Sequence, residues 1–367
     1  LRIDMEGHGR EEVIAGIDIS RTVGWFTSIY PVLLSITDPS MDLSGIIKSV
    51  KECLRGIPNN GFDYLLYKYL DASIDLGDID SSQISFNYLG QFDSDTSDKV
   101  FEIAKESVGD EHSSTQDREY EWDISGMVSA GQLHMSLVYS GLRHDASKVD
   151  SFMQSYASHL ESIISYCLSY EGVSLTPSDL SYKGLSISAL DDLASRYAIA
   201  DVYPLSPMQE GMLFHWLLDN DSDHYFNQVS YGVVGDLDIT LFEKSYDALI
   251  SRYDILRTIF LHEGYDVNLQ VVLKEQKRAF EYRDVREEVL SSDRSSVVKK
   301  YVALDRSNKF DLTSDALMRV GVYHLGDKDY EIIWSFHHIL MDGWCMSILV
   351  QDFNSFYQGY VSGDTLE

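Results

Sequence analysis

Apolar and polar positions along this chain switch between two periods, and the switches mark out its elements. Residues 330–336 form an apolar alternating run and read as a buried strand, and residues 346–360 follow with helical spacing. Strand composition recurs at 21–34, where Pro31 points to an edge or a bulge, and at 84–89, closed by Gly90. Runs at 120–128 and 133–139 can pair as a hairpin through Ala130, Gly131 and Gln132. Further strands are expected at 224–234, 254–260, 270–273, 279–282 and 317–325. Helical spacing predicts helices over 45–54, 62–70, 99–107, 146–168, 186–196, 241–252 and 295–304, the longest burying a stripe from Val149 to Ile164. Ser206 reads as a helix cap, Pro207 as the first helical residue and Gln209 as the reciprocal cap.

Strands and helices mix in both halves, so the fold class is α/β, an α+β two-layer arrangement of mixed or antiparallel sheets with flanking helices. Residues 1–172 and 201–367 read as two units, joined over 173–200 by an extended, serine-containing linker with Pro177 near its start and one short helix. At 367 residues and 44% hydrophobic, the chain can bury a full core in each. A net charge of −30 argues against nucleic acid and anionic membrane surfaces as partners. No apolar run is long enough to span a bilayer. Cys53, Cys167 and Cys345 lack CxxC spacing and read as reduced thiols, so the expected location is cytoplasmic. Leu1 is not an initiator methionine and Glu367 follows a helix directly, so both ends look cut from something longer.

Chemistry concentrates where the strand of residues 330–336 ends, in His337-His338-Ile339-Leu340-Met341-Asp342-Gly343. An imidazole there can exchange protons near neutral pH, a carboxylate can brace a loop, and glycine lets backbone N–H groups approach a reacting carbonyl. Two adjacent histidines on a strand face opposite ways, so packing is the competing reading for each. His338 and Asp342 have a possible metal-ligand spacing, but no third ligand stands nearby and no metal site is expected. Arg252 and Arg257 flank an apolar strand and need partners if buried. Arg257 is expected to pair with Asp342 and brace the histidine loop; a solvated arginine at a strand end is the alternative. Earlier in the chain, Glu6 sits between Met5 and Gly7, in a glycine-rich stretch that favours a turn leaving its carboxylate accessible. His134, His144, His159 and His215 read as surface or packing residues.

HHxxxDG at 337–343 resembles the core motif of the condensation and epimerization domains of nonribosomal peptide synthetases, which look like the chloramphenicol acetyltransferase family. EGHGRE (6–11), RTVGWFTSIYPVLL (21–34), IPNNGFDY (57–64) and FNYLGQFD (86–93) resemble, in order, the back half of an epimerization domain. Asn60 stands where a lysine is usual and Asp63 breaks the glycine spacing. LTPSDL (175–180) resembles the following linker, residues 201–215 the first condensation motif, and RYDILRT (252–258) the second, with Tyr253 where histidine is commoner. HHILMDGWC (337–345) is similar to the subtype that accepts a D-configured donor.

The resemblance implies chloramphenicol-acetyltransferase-like lobes: the C-terminal lobe of an epimerization-type domain, then the N-terminal lobe of a condensation domain. It implies Cα epimerization of a carrier-bound aminoacyl or peptidyl thioester in the first, with Glu6 as acid/base, Arg10 orienting or charge-balancing it and Tyr88 lining the site. In the second it implies peptide-bond formation, with His338 accepting or positioning the amine proton, the Gly343 backbone helping to hold the oxyanion, and His337 and Asp342 as supports. No cofactor would be bound directly; phosphopantetheine would come with carrier domains, and adjacent adenylation, condensation and epimerization lobes would be partners in secondary metabolism such as antibiotic biosynthesis. Each site would be incomplete in this chain, so little activity is expected of it alone. The rivals are a non-catalytic docking or structural module, an acyl-CoA-type acyltransferase, and a permuted V built from the two lobes.

Overall fold

A computed structural model describes residues 1–11, 15–36, 40–71, 82–91, 109, 113, 115–219, 223–276 and 278–363. The chain divides into two compact units, Leu1–Ser174 and Leu175–Glu367. The helix expected over 99–107 lies outside the described residues.

In the first unit β1 (Arg2–Gly7) and β2 (Ser28–Leu33) precede α1 (Leu43–Arg55) and α2 (Phe62–Tyr69). Then come β3 (Ile84–Gln91), β4 (Trp122–Ser129), β5 (Gln132–Tyr139) and α3 (Ala146–Ser169). The sheet runs β2-β1-β3-β4-β5, with β3 parallel to both β1 and β4 and the remaining pairs antiparallel. Its mixed character follows from the connections: β4 and β5 turn directly through Ala130 and Gly131, both left-handed, whereas parallel neighbours need longer crossovers. One face carries Ile3, Ile124 and Trp122 and meets α3, where Trp122 and Phe152 rings lie 4.7 Å apart. The other face carries polar groups, as the site below requires. Of the stripe expected on the long helix, only Val149 is fully buried. The block at 21–34 contains a strand only from Ser28, and Pro31 sits on the edge strand β2 as its missing N–H demands.

The second unit starts earlier than its sequence implies. Residues 175–200 are not an extended linker: α4 (Ile187–Arg196) buries Leu190 and Leu193 against Ile199 and Val202 of β6 (Ile199–Pro204). Serine-rich composition hid two leucines at helical spacing that a neighbouring sheet covers. Leu193 is 0% exposed, so Leu193→Ala should cost about 2–5 kcal/mol. Urea denaturation of the chain, followed in the second unit, checks this; a shift under about 0.5 kcal/mol, the range of ordinary surface changes, would return the segment to linker status.

After β6 come α5 (Pro207–Leu218), β7 (Phe226–Val234), α6 (Ile239–Arg252) and β8 (Thr258–Leu261). The chain continues through β9 (Leu269–Leu273), β10 (Phe280–Asp284), α7 (Arg286–Ser291) and α8 (Arg294–Ser307). It closes with β11 (Met318–Gly326), β12 (Asp329–His337) and α9 (Gly343–Ser362). The strand expected over 254–260 begins only at Thr258, after a 3₁₀ turn at Asp254–Arg257. A small sheet, β6-β9-β8, holds α4; the main sheet runs β10-β11-β12-β7. Along β12, Trp334 and Phe336 pack with Phe242 and Tyr246 of α6 and Phe353 of α9, while Ile333 packs with Val297 and Tyr301 of α8. Helices on both faces explain why this strand is buried along nearly its whole length on both faces although its neighbours are antiparallel. Among the described residues, no helix is long and apolar enough to cross a membrane.

Candidate active sites

β12 ends at His337, and α9 starts at Gly343, so the intervening turn is clamped between a buried strand and a capped helix. Asp342 is the cap: its Oδ1 accepts from the Trp344 and Cys345 N–H groups at 3.0 and 3.2 Å and from the Cys345 thiol at 3.2 Å. The Cys345 bonds, foremost, hold its pKa below the usual carboxylate range. The expected pairing of Asp342 with an arginine is not made. Arg257, 13% exposed at its side chain, ion-pairs with Asp254 and donates to the carbonyls of Ile250 (3.1 Å) and Leu273 (2.5 Å). Arg252 faces Asp352 at 3.3 Å. Carbonyls freed where α6 and β9 end are closer acceptors than a carboxylate already spent on its own helix.

Two other groups brace the turn. Gln209 donates from Nε2 to the Ile339 carbonyl at 3.0 Å and exchanges bonds with Gln270, while its Oε1 accepts the Ser206 N–H. Tyr225 accepts the His338 N–H on its carbonyl at 2.7 Å. Gln209 was legible only as a cap, because its second partner lies far along the chain.

The two histidines separate cleanly. His337 is 4% exposed, its Nδ1 accepts the Ile339 N–H at 3.2 Å, and its Nε2 is buried without a hydrogen-bond partner. Burial first, and then the adjacent His338, push its pKa down to about 4, so it is neutral at ordinary pH. His338 is half-buried, and its Nδ1 lies 2.6 Å from the Met341 carbonyl. A carbonyl only accepts, so Nδ1 carries the proton and Nε2 keeps its lone pair. Gly343, the first residue of α9, is exposed, and a Cβ there would meet nothing within 4 Å. Neither its own packing nor a left-handed backbone therefore demands glycine at this position.

In the first unit Glu6 lies on β1, not in a turn, and β3 brings Asn87 beside it: Asn87 Nδ2 donates to Glu6 Oε2 at 2.7 Å. Alternation along β1 puts Asp4 on the same face, where it accepts from Ser82 and, at 3.0 Å, from the Tyr120 hydroxyl. Asp123 on β4 accepts from Ser85 at 2.6 Å and ion-pairs with Arg118. Glu6, Tyr120, Arg118 and Asp123 line a cavity of about 520 Å³. Burial, reinforced by Asp123 and opposed by the Asn87 bond, raises the Glu6 pKa. A carboxylate whose pKa is raised in this way is a stronger base than an ordinary glutamate.

Arg10 does not orient Glu6. Its guanidinium lies 4.4 Å over the Phe26 ring and donates to the Ile19 carbonyl at 2.7 Å, which ties down the following loop. Tyr88 does not line the Glu6 cavity either. It follows Asn87 on a strand, so it faces the opposite side, where a Cβ on Gly126 would stand 3.4 Å from its ring, and it is 52% exposed. Strand parity was the missed signal: if Glu6 faces the site, the residue beside it is Asn87. His144 packs against Glu121, bonding it at 3.0 Å, and His159 is an exposed surface residue that bonds the Ser155 carbonyl of its own helix at 2.7 Å. Among the described residues no cluster of three or more His, Cys, Asp or Glu side chains could hold a metal ion. A larger groove, about 820 Å³, runs along α9 and β7 past Tyr231, Val350 and Asn354, and neither His337 nor His338 is among its described lining residues.

A family model described as Condensation domain matches residues 1–185 and again 199–367. A mycosubtilin synthase polypeptide of Bacillus subtilis is 41% identical over 363 residues, 97% of this chain but 14% of that protein. Bacitracin synthase 3 of Bacillus licheniformis is 38% identical over 360 residues, 97% of this chain and 6% of that protein. This chain therefore spans a small part of the relatives it matches. Among solved structures, the epimerization domain from the third module of tyrocidine synthetase B is 36% identical, covering 46% of this chain and 38% of that chain at a TM-score of 0.43.

Proposed function

This chain belongs to the condensation-domain family, and from that premise we propose that its two units serve two steps of nonribosomal peptide assembly within a multidomain synthetase. The Leu175–Glu367 unit would form the peptide bond. An acceptor amine attacks the thioester carbonyl of a D-configured donor, and His338 Nε2 takes the amine proton. The C–S bond then breaks, and the departing thiolate receives that proton, so amide and thiol are the products. The Gly343 backbone N–H, which the Asp342 cap does not take up, would help to hold the oxyanion. The Leu1–Ser174 unit would epimerize: Glu6 removes the Cα proton of a carrier-bound thioester, and a donor on the other face returns one. The substrates would arrive on phosphopantetheine arms of carrier domains, and flanking adenylation and condensation or epimerization lobes would be the partners, in secondary metabolism of the antibiotic-forming kind.

The observation that carries this reading is the His338 imidazole, with Nδ1 committed to Met341 and Nε2 left with its lone pair at the end of a rigid strand. Glu6, half-buried beside Asp123, supports the second step. Among the described lining residues of its cavity there is no histidine to oppose it, which favours completion by another part of the synthetase. With donor and acceptor carriers loaded with thioesters in D2O, the synthetase carrying this chain should form amide and wash deuterium into Cα. The 367-residue chain alone should do neither at more than a small fraction of that rate. A synthetase that loads its carriers yet gives no amide and no exchange would remove the reading.

A further inference from the structure

Tyr225 occupies a left-handed backbone conformation, φ 63°, immediately before β7. For a bulky side chain this conformation is strained, and glycine would take it freely. A tyrosine kept in a glycine's conformation is kept for its side chain. Two contacts say what it does. Its carbonyl accepts the His338 N–H at 2.7 Å, and its ring lies 6.2 Å from the buried His337 ring, tilted by 53°. Register places both at one spot: Phe226 pairs with His337, so Tyr225 stands next to the turn that carries His338.

We propose that Tyr225 is a positioning residue for the His338 base: its carbonyl fixes the His338 main chain, and its ring seals His337 from water so that the base's neighbour stays uncharged. This rests on the reading of His338 as the proton acceptor. The titratable groups that act on His337 are His338 beside it and Tyr225 against its ring; His215 on α5 and the exposed His224 lie on the Tyr225 ring, at 6.0 and 6.5 Å. The His337 Nε2–H has no hydrogen-bond partner to hold a charge, so exclusion of water is what keeps the ring neutral. Without the tyrosine ring, water reaches Nε2 and the His337 pKa climbs toward the ordinary histidine value of about 6.5. A positive His337 then opposes protonation of His338, and the base weakens as pH falls.

The test compares Tyr225→Phe, Tyr225→Gly and Tyr225→Asn in the synthetase, reading amide formation against pH and the His337 imidazole titration by NMR in the chain itself. Glycine keeps the left-handed carbonyl and removes the ring; asparagine, which tolerates that conformation, does so with a side chain present, should glycine loosen the fold. Both should raise the His337 titration by more than one pH unit. Turnover at pH 6 should fall by about threefold to fourfold, because with a pKa near 6.5 about three-quarters of His337 is charged there, while the rate at pH 8, where almost none is, should stay within about 1.5-fold. Phenylalanine should restore both profiles. A His337 titration unmoved by loss of the ring would overturn the proposal, whatever happens to turnover. Failure of the underlying reading has a different mark, a His338→Ala synthetase that still forms amide at the native rate.

Discussion

His338→Ala should lower amide formation by about 10²- to 10⁴-fold, the usual contribution of a positioned general base, with little change in the stability of the unit. The substitution removes one half-buried ring whose hydrogen bond is a single contact to the Met341 carbonyl. The strand, the Asp342 cap and the Gln209 and Tyr225 braces act on the main chain and persist. Loading of the carriers should be unaffected, so the loss falls on kcat of the condensation step. His337→Ala should behave in the opposite sense, loosening the fold through a cavity at a 4% exposed position. Single-turnover transfer between preloaded carriers separates the two. A loss under about tenfold for His338→Ala would mean that alignment of the thioesters carries the reaction without a base.

Glu6→Gln should abolish deuterium wash-in at Cα, again by about 10²- to 10⁴-fold, because an amide of the same shape can still meet Asn87 but cannot take a proton. The pH dependence has a definite sign. Glu6 acts as a base only when ionised, and its pKa is raised by burial and by Asp123. Activity should therefore fall as pH drops through that raised value, at higher pH than an ordinary glutamate would give. Asp123→Asn removes one of the two raising influences and should move the acid limb of the exchange profile to lower pH. An acid limb that stays in place would assign it to a different group. Exchange that persists in Glu6→Gln would sink the carboxylate as the base.

The sequence alone determined the strand at 330–336, the helix start at Ser206 and a turn between the two histidines and a following helix, because each rests on local spacing and short-range hydrogen bonds. The resemblance carried by short motifs led to the same family as comparison with known proteins. Tertiary structure decided what those residues touch. Whether Asp342 would meet Arg257 depended on which carbonyls the ends of α6 and β9 leave open. Which of Asn87 and Tyr88 would stand beside Glu6 depended on the register of β1 against β3. Residues 175–200 read as a linker because two buried leucines among serines carry no local sign of the sheet that covers them. Which imidazole keeps a lone pair clear of the protein's own hydrogen bonds was invisible in two identical letters. The Ile339 N–H occupies the lone pair of His337, whose ring burial keeps neutral, and a carbonyl three residues along fixes the proton of His338 on Nδ1. Local propensity sets where an element begins and ends; the proton's address depends on the groups that the fold brings from elsewhere in the chain.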